Sequence, residues 1–284
     1  MPPALILTTQ SKANLTGGAF ADTLSANSGD STAVASYNTG GARIGEMWGI
    51  DSDAVCEGEI LTTRPDSTHD QQNGYRFEIP AVALGGAATN AAFNIMPGGF
   101  DVPVFVNDTI TIKVTGTAAD DVIVSYLIEY DDLPGVGDAQ FATWDQIKAL
   151  RKSNVGMNNL PVASGTPGAY GASRALNADD NRYHANQWYA ILGCTVQTQV
   201  TTISLTGPPW GGQRIGLPAG ALFLNSNTYF IEQSLKRGKP LIPFFHQADA
   251  GNILCQVADG EASTSPKVDW NLVELTQKPV IQAV

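Results

Sequence analysis

The sequence predicts an all-β protein made of two similar sandwiches in tandem, with a few short helices. Three observations predict it: a composition that excludes disorder and helix bundles, a succession of short runs with strand periodicity, and an internal repeat near half the chain length. Only 15% of the 284 residues are Asp, Glu, Lys or Arg, while 43% are hydrophobic. A disordered chain needs low hydrophobicity and high net charge. A bundle or coiled coil needs many Lys, Glu, Arg and Leu and few chain-breakers. With 29 Gly and 16 Pro and no simple period among them, the chain is globular and turn-rich, its polar surface drawn mostly from Thr, Ser, Asn and Gln.

The strand readings follow from periodicity. Gly74-Tyr75-Arg76-Phe77-Glu78-Ile79 alternates apolar residues with charges, as a half-buried strand does, and Thr109-Ile110-Thr111-Ile112-Lys113-Val114 alternates more strictly. Val122-Ile123-Val124-Ser125-Tyr126-Leu127-Ile128 is β-branched and nearly continuous, the pattern of a strand covered on both faces. Further runs fall at 188–200, 202–205, 241–245, 253–257 and 268–275, separated by turn signals such as Pro97-Gly98-Gly99, Gly207-Pro208-Pro209 and Gly211-Gly212. Two helices interrupt them. Asp138 is placed to cap a segment carrying Phe141, Trp144, Ile147 and Leu150 at a spacing of three, ending in Arg151-Lys152, with acid and base disposed to suit the helix dipole. A second, shorter helix starts after Asn227, carries Tyr229, Phe230, Ile231 and Leu235, and stops at Gly238 before Pro240. Packing onto a sheet accounts for both aromatic faces.

The repeat links three pairs of segments in the same order. Ile79-Pro80-Ala81-Val82-Ala83-Leu84 matches Leu217-Pro218-Ala219-Gly220-Ala221-Leu222, an offset of 217 − 79 = 138. Residues 122–129 match 267–274 loosely, an offset of 274 − 129 = 145, and Trp48 stands to Trp188 at 188 − 48 = 140. All lie near half the chain, 142 residues. The competing explanation is shared residue preference among short strands. A duplicated unit of this length accommodates seven or eight short strands, enough for a two-sheet sandwich or jelly roll. The expected organisation is a first jelly roll at 1–137, a connecting helix and extended linker at 138–183, and a second jelly roll at 184–284. Within the linker, residues 154–181 have little periodicity and read as an arm packed over the outside.

The net charge is −11 and the isoelectric point about 4.6. Neutralising a phosphate backbone needs a basic face, and no cluster exceeds pairs such as Arg151-Lys152 and Lys236-Arg237. Direct nucleic-acid binding is therefore not expected. Cys56, Cys194 and Cys255 have no metal-like spacing and adjoin apolar runs, so they read as small buried hydrophobes. The odd count, together with an N-terminus lacking a basic region before a long apolar stretch, predicts a reducing compartment. No segment approaches the ~20 apolar residues of a membrane-spanning helix.

The search for chemistry yields little. His69, His184 and His246 have no zinc-type spacing, and neither a GxSxG elbow nor a GxxxxGK[ST] loop is present. Asp120-Asp121, Asp131-Asp132, Asp179-Asp180 and the Asp51-Ser52-Asp53 turn with Glu57 are the nearest approaches to a Ca²⁺ site; none extends into the alternating acidic loop such a site needs. No catalytic residue, metal or cofactor is assigned, and the chain is not expected to be an enzyme. Trp210, between Pro209 and Gly211, is the one candidate ligand-facing loop residue, a platform on which a sugar could stack; core packing is the competing reading.

A duplicated β-sandwich of this size, with the Ile/Leu-Pro-Ala-x-Ala-Leu match, the paired terminal strands and a helix after the first half, resembles the double jelly-roll major capsid proteins of tailless icosahedral viruses, including bacteriophages and archaeal viruses with an internal membrane. The resemblance is architectural and covers most of the chain. It implies a structural subunit of the virion capsid, made in the host cytoplasm, whose homotrimers form pseudo-hexagonal capsomers. The implied partners are further copies of the chain, other capsid proteins such as pentons, and an internal viral membrane. Pro2-Pro3-Ala4-Leu5-Ile6-Leu7 and Val280-Ile281-Gln282-Ala283-Val284 are the segments expected to make inner contacts. The alternative is a carbohydrate-binding β-sandwich, a lectin or viral receptor-binding protein. A third reading is a β-sandwich hydrolase with a spatially assembled acid pair.

Overall fold

The computed structural model describes residues 4–12, 15–19, 22–24, 42–51, 56–61, 75–79, 93–96, 102–104, 111–118, 122–130, 140–163, 165, 170–178, 183–196, 200–218, 226–259 and 265–280. These are mostly β-strands in antiparallel sheets, with two short α-helices. The described part of the chain is therefore mostly β, in keeping with the all-β class expected from the sequence.

Among the described residues nine strands precede residue 131: β1 (Ala4–Lys12), β2 (Asp22–Leu24), β3 (Ala42–Asp51), β4 (Cys56–Leu61), β5 (Tyr75–Ile79), β6 (Phe93–Met96), β7 (Val102–Val104), β8 (Thr111–Thr115) and β9 (Val122–Tyr130). They form one sheet in the order β1-β9-β3-β6, with β7 also on β3, and another in the order β2-β8-β4-β5. Ile112, Val114, Val122, Val124 and Leu127 are fully buried. Alternation explains Ile112 and Val114 on β8, whose in-between Lys113 is only partly covered.

The later part repeats this plan. Its strands are β10 (Phe141–Ala142), β11 (Arg151–Pro161), β12 (Arg174–Ala175), β13 (Trp188–Val196), β14 (Val200–Thr206), β15 (Arg214–Pro218), β16 (Ile242–His246), β17 (Leu254–Asp259) and β18 (Lys267–Leu275). The sheets run β10-β16-β13-β18-β11 and β12-β17-β14-β15. With β6 and β10 set aside, each part has eight described strands, and in each the two sheets run first-eighth-third-sixth and second-seventh-fourth-fifth.

The sequence repeat falls on matching strands. Ile79 and Leu217 lie in the fifth strand of their sets, residues 122–129 and 267–274 in the eighth, and Trp48 and Trp188 in the third. Register corrects the last pair. Tyr130 stands opposite Ala42 and Leu275 opposite Trp188, so Trp188 corresponds to Ala42, and Trp48 lies six residues further along the same strand.

The linker expected at 138–183 is corrected. Residues 151–161 are the edge strand β11, hydrogen-bonded along β18, and β12 pairs with β17. Tyr170 bridges to Ala258, and Val162 N–H donates to Pro266 O. Leu160, Val162, Tyr170 and Leu176 are buried. This stretch is therefore integral to the second set of sheets and not an arm over it. Its weak periodicity reflects two bulges in β11, between Arg151 and Ser153 and between Val155 and Asn158, which disrupt alternation.

The first helix, α1 (Trp144–Leu150), starts later than expected. Its cap is Thr143, in a reciprocal capping box with Gln146, the signature Thr-x-x-Gln. Asp138 lies outside the described residues, and Phe141 belongs to β10, opposite Pro243. The second helix, α2 (Tyr229–Arg237), ends where expected: Gly238 takes φ 65°, and its N–H donates to Ser234 O, the left-handed stop that glycine adopts without strain. Tyr229 and Phe230 are buried, but Leu235 is exposed, so the buried face is narrower than the sequence suggests.

Candidate functional site

The most concentrated polar chemistry among the described residues gathers around Glu274, near the end of β18. Its neighbours in that strand, Leu272, Val273 and Leu275, are buried apolar residues, and its own side chain is 2% exposed. Strand pairing sets Ser153 of β11 opposite it on one side and Tyr189 of β13 on the other. Lys152 Nζ reaches its Oε1 at 2.7 Å, Ser153 Oγ its Oε2 at 3.1 Å, and His184 Nδ1 the same oxygen at 3.2 Å. The Tyr189 hydroxyl accepts from the His184 backbone N–H at 2.7 Å, fixing the loop that brings the imidazole in.

Burial by itself raises the Glu274 carboxyl, but the hydrogen bonds from Lys152, His184 and Ser153 and the Lys152 charge outweigh it, and the group is held below the ordinary carboxylate range. Burial pushes the Tyr189 phenol up, opposed by its bond from the His184 backbone and reinforced by the Glu274 charge. Tyr189 stacks on Phe245 at 5.8 Å, and Tyr183 meets both rings edge-on. Aromatic packing thus fixes the Tyr189 ring on the strand beside Glu274, while Lys152 is half exposed and His184 largely exposed.

Ser, His and Glu together invite comparison with a hydrolytic triad, and the geometry argues against it. A triad needs the hydroxyl on the imidazole nitrogen not held by the acid. Here Ser153 and His184 both bind Glu274, on the same oxygen. The carboxylate is the hub, and no relay runs from base to nucleophile. The arrangement is chemically a clasp: one buried anion joins β11, β18 and the loop before β13. Among the described residues no group of three His, Cys, Asp or Glu side chains could hold a metal ion.

Trp210 requires correction as a ligand-facing residue. It sits in a 3-10 turn, Pro208–Trp210, and is fully buried. Its indole N–H donates to Gln140 O at 3.3 Å, and the same carbonyl accepts from Phe244 N–H at 3.0 Å. Gln140 N–H in turn donates to Pro209 O. The ring therefore pins the entry of the chain into the second set of sheets and offers no face to a sugar. Flanking Pro and Gly mark a turn correctly, but a turn folded back on the core buries its tip.

The other singled-out residues are dispersed. His246 Nδ1 accepts from Ala248 N–H and its ring meets Trp188 edge-on, a cap on the turn Gln247–Asn252. Cys194 and Cys255 are buried free thiols, both raised by burial, in keeping with the reading of them as small hydrophobes. His69, Ser52, Asp53, Asp120-Asp121, Asp131-Asp132 and Asp179-Asp180 lie outside the described residues, as do Pro2-Pro3 and residues 281–284. For Asp51, Cys56 and Glu57, only the strand backbone is described. Sequence reasoning missed Glu274, although a signal was present: a lone acid inside Leu272-Val273-Glu274-Leu275 must be paired if that strand is buried.

The chain matches no protein-family model, and comparison with curated proteins finds no match.

Proposed function

We propose that the chain is a structural subunit of an icosahedral virus capsid, built as two eight-stranded jelly rolls in tandem and assembling as trimeric, pseudo-hexagonal capsomers. The observation that carries this reading is the strand order. First-eighth-third-sixth over second-seventh-fourth-fifth, occurring twice in one chain, is the order an eight-stranded double Greek key produces. A chain holding two such units lets three copies present six similar units about one axis, so a single repeated contact tiles a shell. The reading is also supported by a polar cluster organised as a clasp and by the burial of Trp210. The chain then acts through its surfaces, without catalysis, in the virion, with other capsid proteins and an internal membrane as further partners.

The test is negative-stain microscopy of native material, with light scattering of the purified chain. Shells, and a particle of about 90 kDa, three times the 29.9 kDa chain, are the expected results. A stable monomer that captures glycans on an array overturns the reading in favour of a carbohydrate-binding sandwich.

A further inference from the structure

The chain is acidic as a whole, yet its charge is unevenly placed. Three segments meet around α1. Trp144 N–H donates to Ser234 Oγ on α2, Gln146 Nε2 donates to Val280 O at 2.6 Å, and Thr276 N–H donates to Leu150 O. Residues 144–152 bring Lys148, Arg151 and Lys152; residues 229–239 bring Lys236, Arg237 and Lys239; residues 274–280 bring Lys278. Against these seven cations the same segments carry three acids, Asp145, Glu232 and Glu274. The excess is four positive charges on 27 residues, in a chain whose net charge is −11, so the remainder carries −15.

An independent feature falls on the same place. Among the described residues, the large hydrophobics most open to solvent are Val280, 73% exposed, and Leu235, 58% exposed. The Val280 carbonyl is held by Gln146 of α1, and Leu235 follows the Ser234 that accepts from Trp144. Apolar side chains amid a polar, charged rim are the anatomy of a protein contact.

We infer that the α1–α2 surface docks a second copy of this chain, receiving an acidic region from elsewhere on its neighbour. Charge decides the pairing. Two copies at −11 repel at long range, and setting this cationic surface against itself adds a local repulsion. A head-to-tail contact, cation on anion, avoids the local repulsion, offsets the long-range one with a local attraction and orients the approach. Such heterologous contacts form a ring when their rotation closes, the geometry that a trimer requires. The inference rests on the proposed self-assembly of the chain and names its contact surface.

Sedimentation velocity of the full chain tests it, comparing wild type with Lys148→Glu/Lys236→Glu and separately with Leu235→Asp, circular dichroism verifying the fold of each. The expected result is self-association that weakens with added salt and falls at least about tenfold in the charge-reversed variant and in Leu235→Asp. Association unchanged in both variants overturns the inference. If their shells still form, the capsid reading survives without it; wild-type dimers or rings without shells leave the contact standing and remove the shell. Co-sedimentation of wild type, but not the charge-reversed variant, with phosphatidylglycerol vesicles, with self-association unaffected, assigns the surface to anionic lipid and also overturns it.

Discussion

Glu274 illustrates how one residue's environment sets its chemistry. A carboxylate that is 2% exposed is costly unless paired, and removing one partner of a buried pair costs more than the pair contributes. Lys152→Ala leaves the anion with only Ser153 and His184, and an expected loss of about 1–2 kcal/mol, discounted because Lys152 is half exposed. The sign with pH follows from the lowered carboxyl. Its stabilisation is present above the ordinary value of 4.5 and is lost as pH falls through the lower folded value. In Lys152→Ala that loss begins at higher pH, so the acid-unfolding midpoint moves up; thermal unfolding followed between about pH 3 and pH 7 checks it, and an unchanged midpoint refutes the clasp. Trp210 teaches the complementary lesson. Trp210→Ala opens a large cavity and abandons the bond to Gln140 O, an expected loss of about 3–5 kcal/mol in denaturant unfolding, whereas a solvent-facing ring would cost little. Sequence reasoning identified both the turn at Trp210 and the strand holding Glu274. It could not say which groups met them, because Gln140 and Lys152 are 70 and 122 residues distant in the chain.

At the scale of elements, α2 is seated by a defect in a strand. The β13–β18 pairing slips between Ile191 and Gly193, and Gly193 adopts φ 155° with the backbone of Ser226 and Asn227 directly above it. A Cβ there would lie 2.1 Å from Ser226 O, so no side chain fits without moving the turn that leads into α2. Opposite Gly193, Asn271 Nδ2 donates to Asn227 O at 3.0 Å and fastens the same turn. Gly193→Ala is expected to cost about 3 kcal/mol or to displace α2, against about 1 kcal/mol for Asn271→Ala; chemical denaturation of the two variants distinguishes a clash from a lost bond. Gly193 sits within an apolar run that reads simply as strand, since a close backbone approach leaves no local trace. The capping box of α1, by contrast, was written in Thr143 and Gln146, and the stop of α2 in Gly238, because caps are local interactions.

At the scale of the molecule, among the described residues the strands before residue 131 pair only with one another, as do those after 139. Strand β1 lies beside β15 and β14, and one apolar cluster joins buried residues of both parts. A fragment beginning at 138 retains every strand of its two sheets but loses that neighbour. It is expected to give a β-rich circular dichroism spectrum and a cooperative unfolding transition at lower denaturant than the whole chain. A fragment beginning at 184, the boundary read from sequence, lacks β11 and β12 and is expected not to fold. If the longer fragment is unfolded, the two sets of sheets are not separate folding units.

The sequence by itself pointed to a mostly β chain, located eight of the eighteen described strands and marked the end of α2, because periodicity and glycine conformation are properties of neighbouring residues. The tertiary structure decided what distant segments do on meeting: that residues 151–161 complete a sheet, that Trp210 turns inward, that Trp48 is out of register with Trp188, and that Glu274 gathers a lysine, a serine and a histidine. Those outcomes depend on strand order and on the desolvation of groups brought together across the fold, neither of which is encoded within any short stretch of chain.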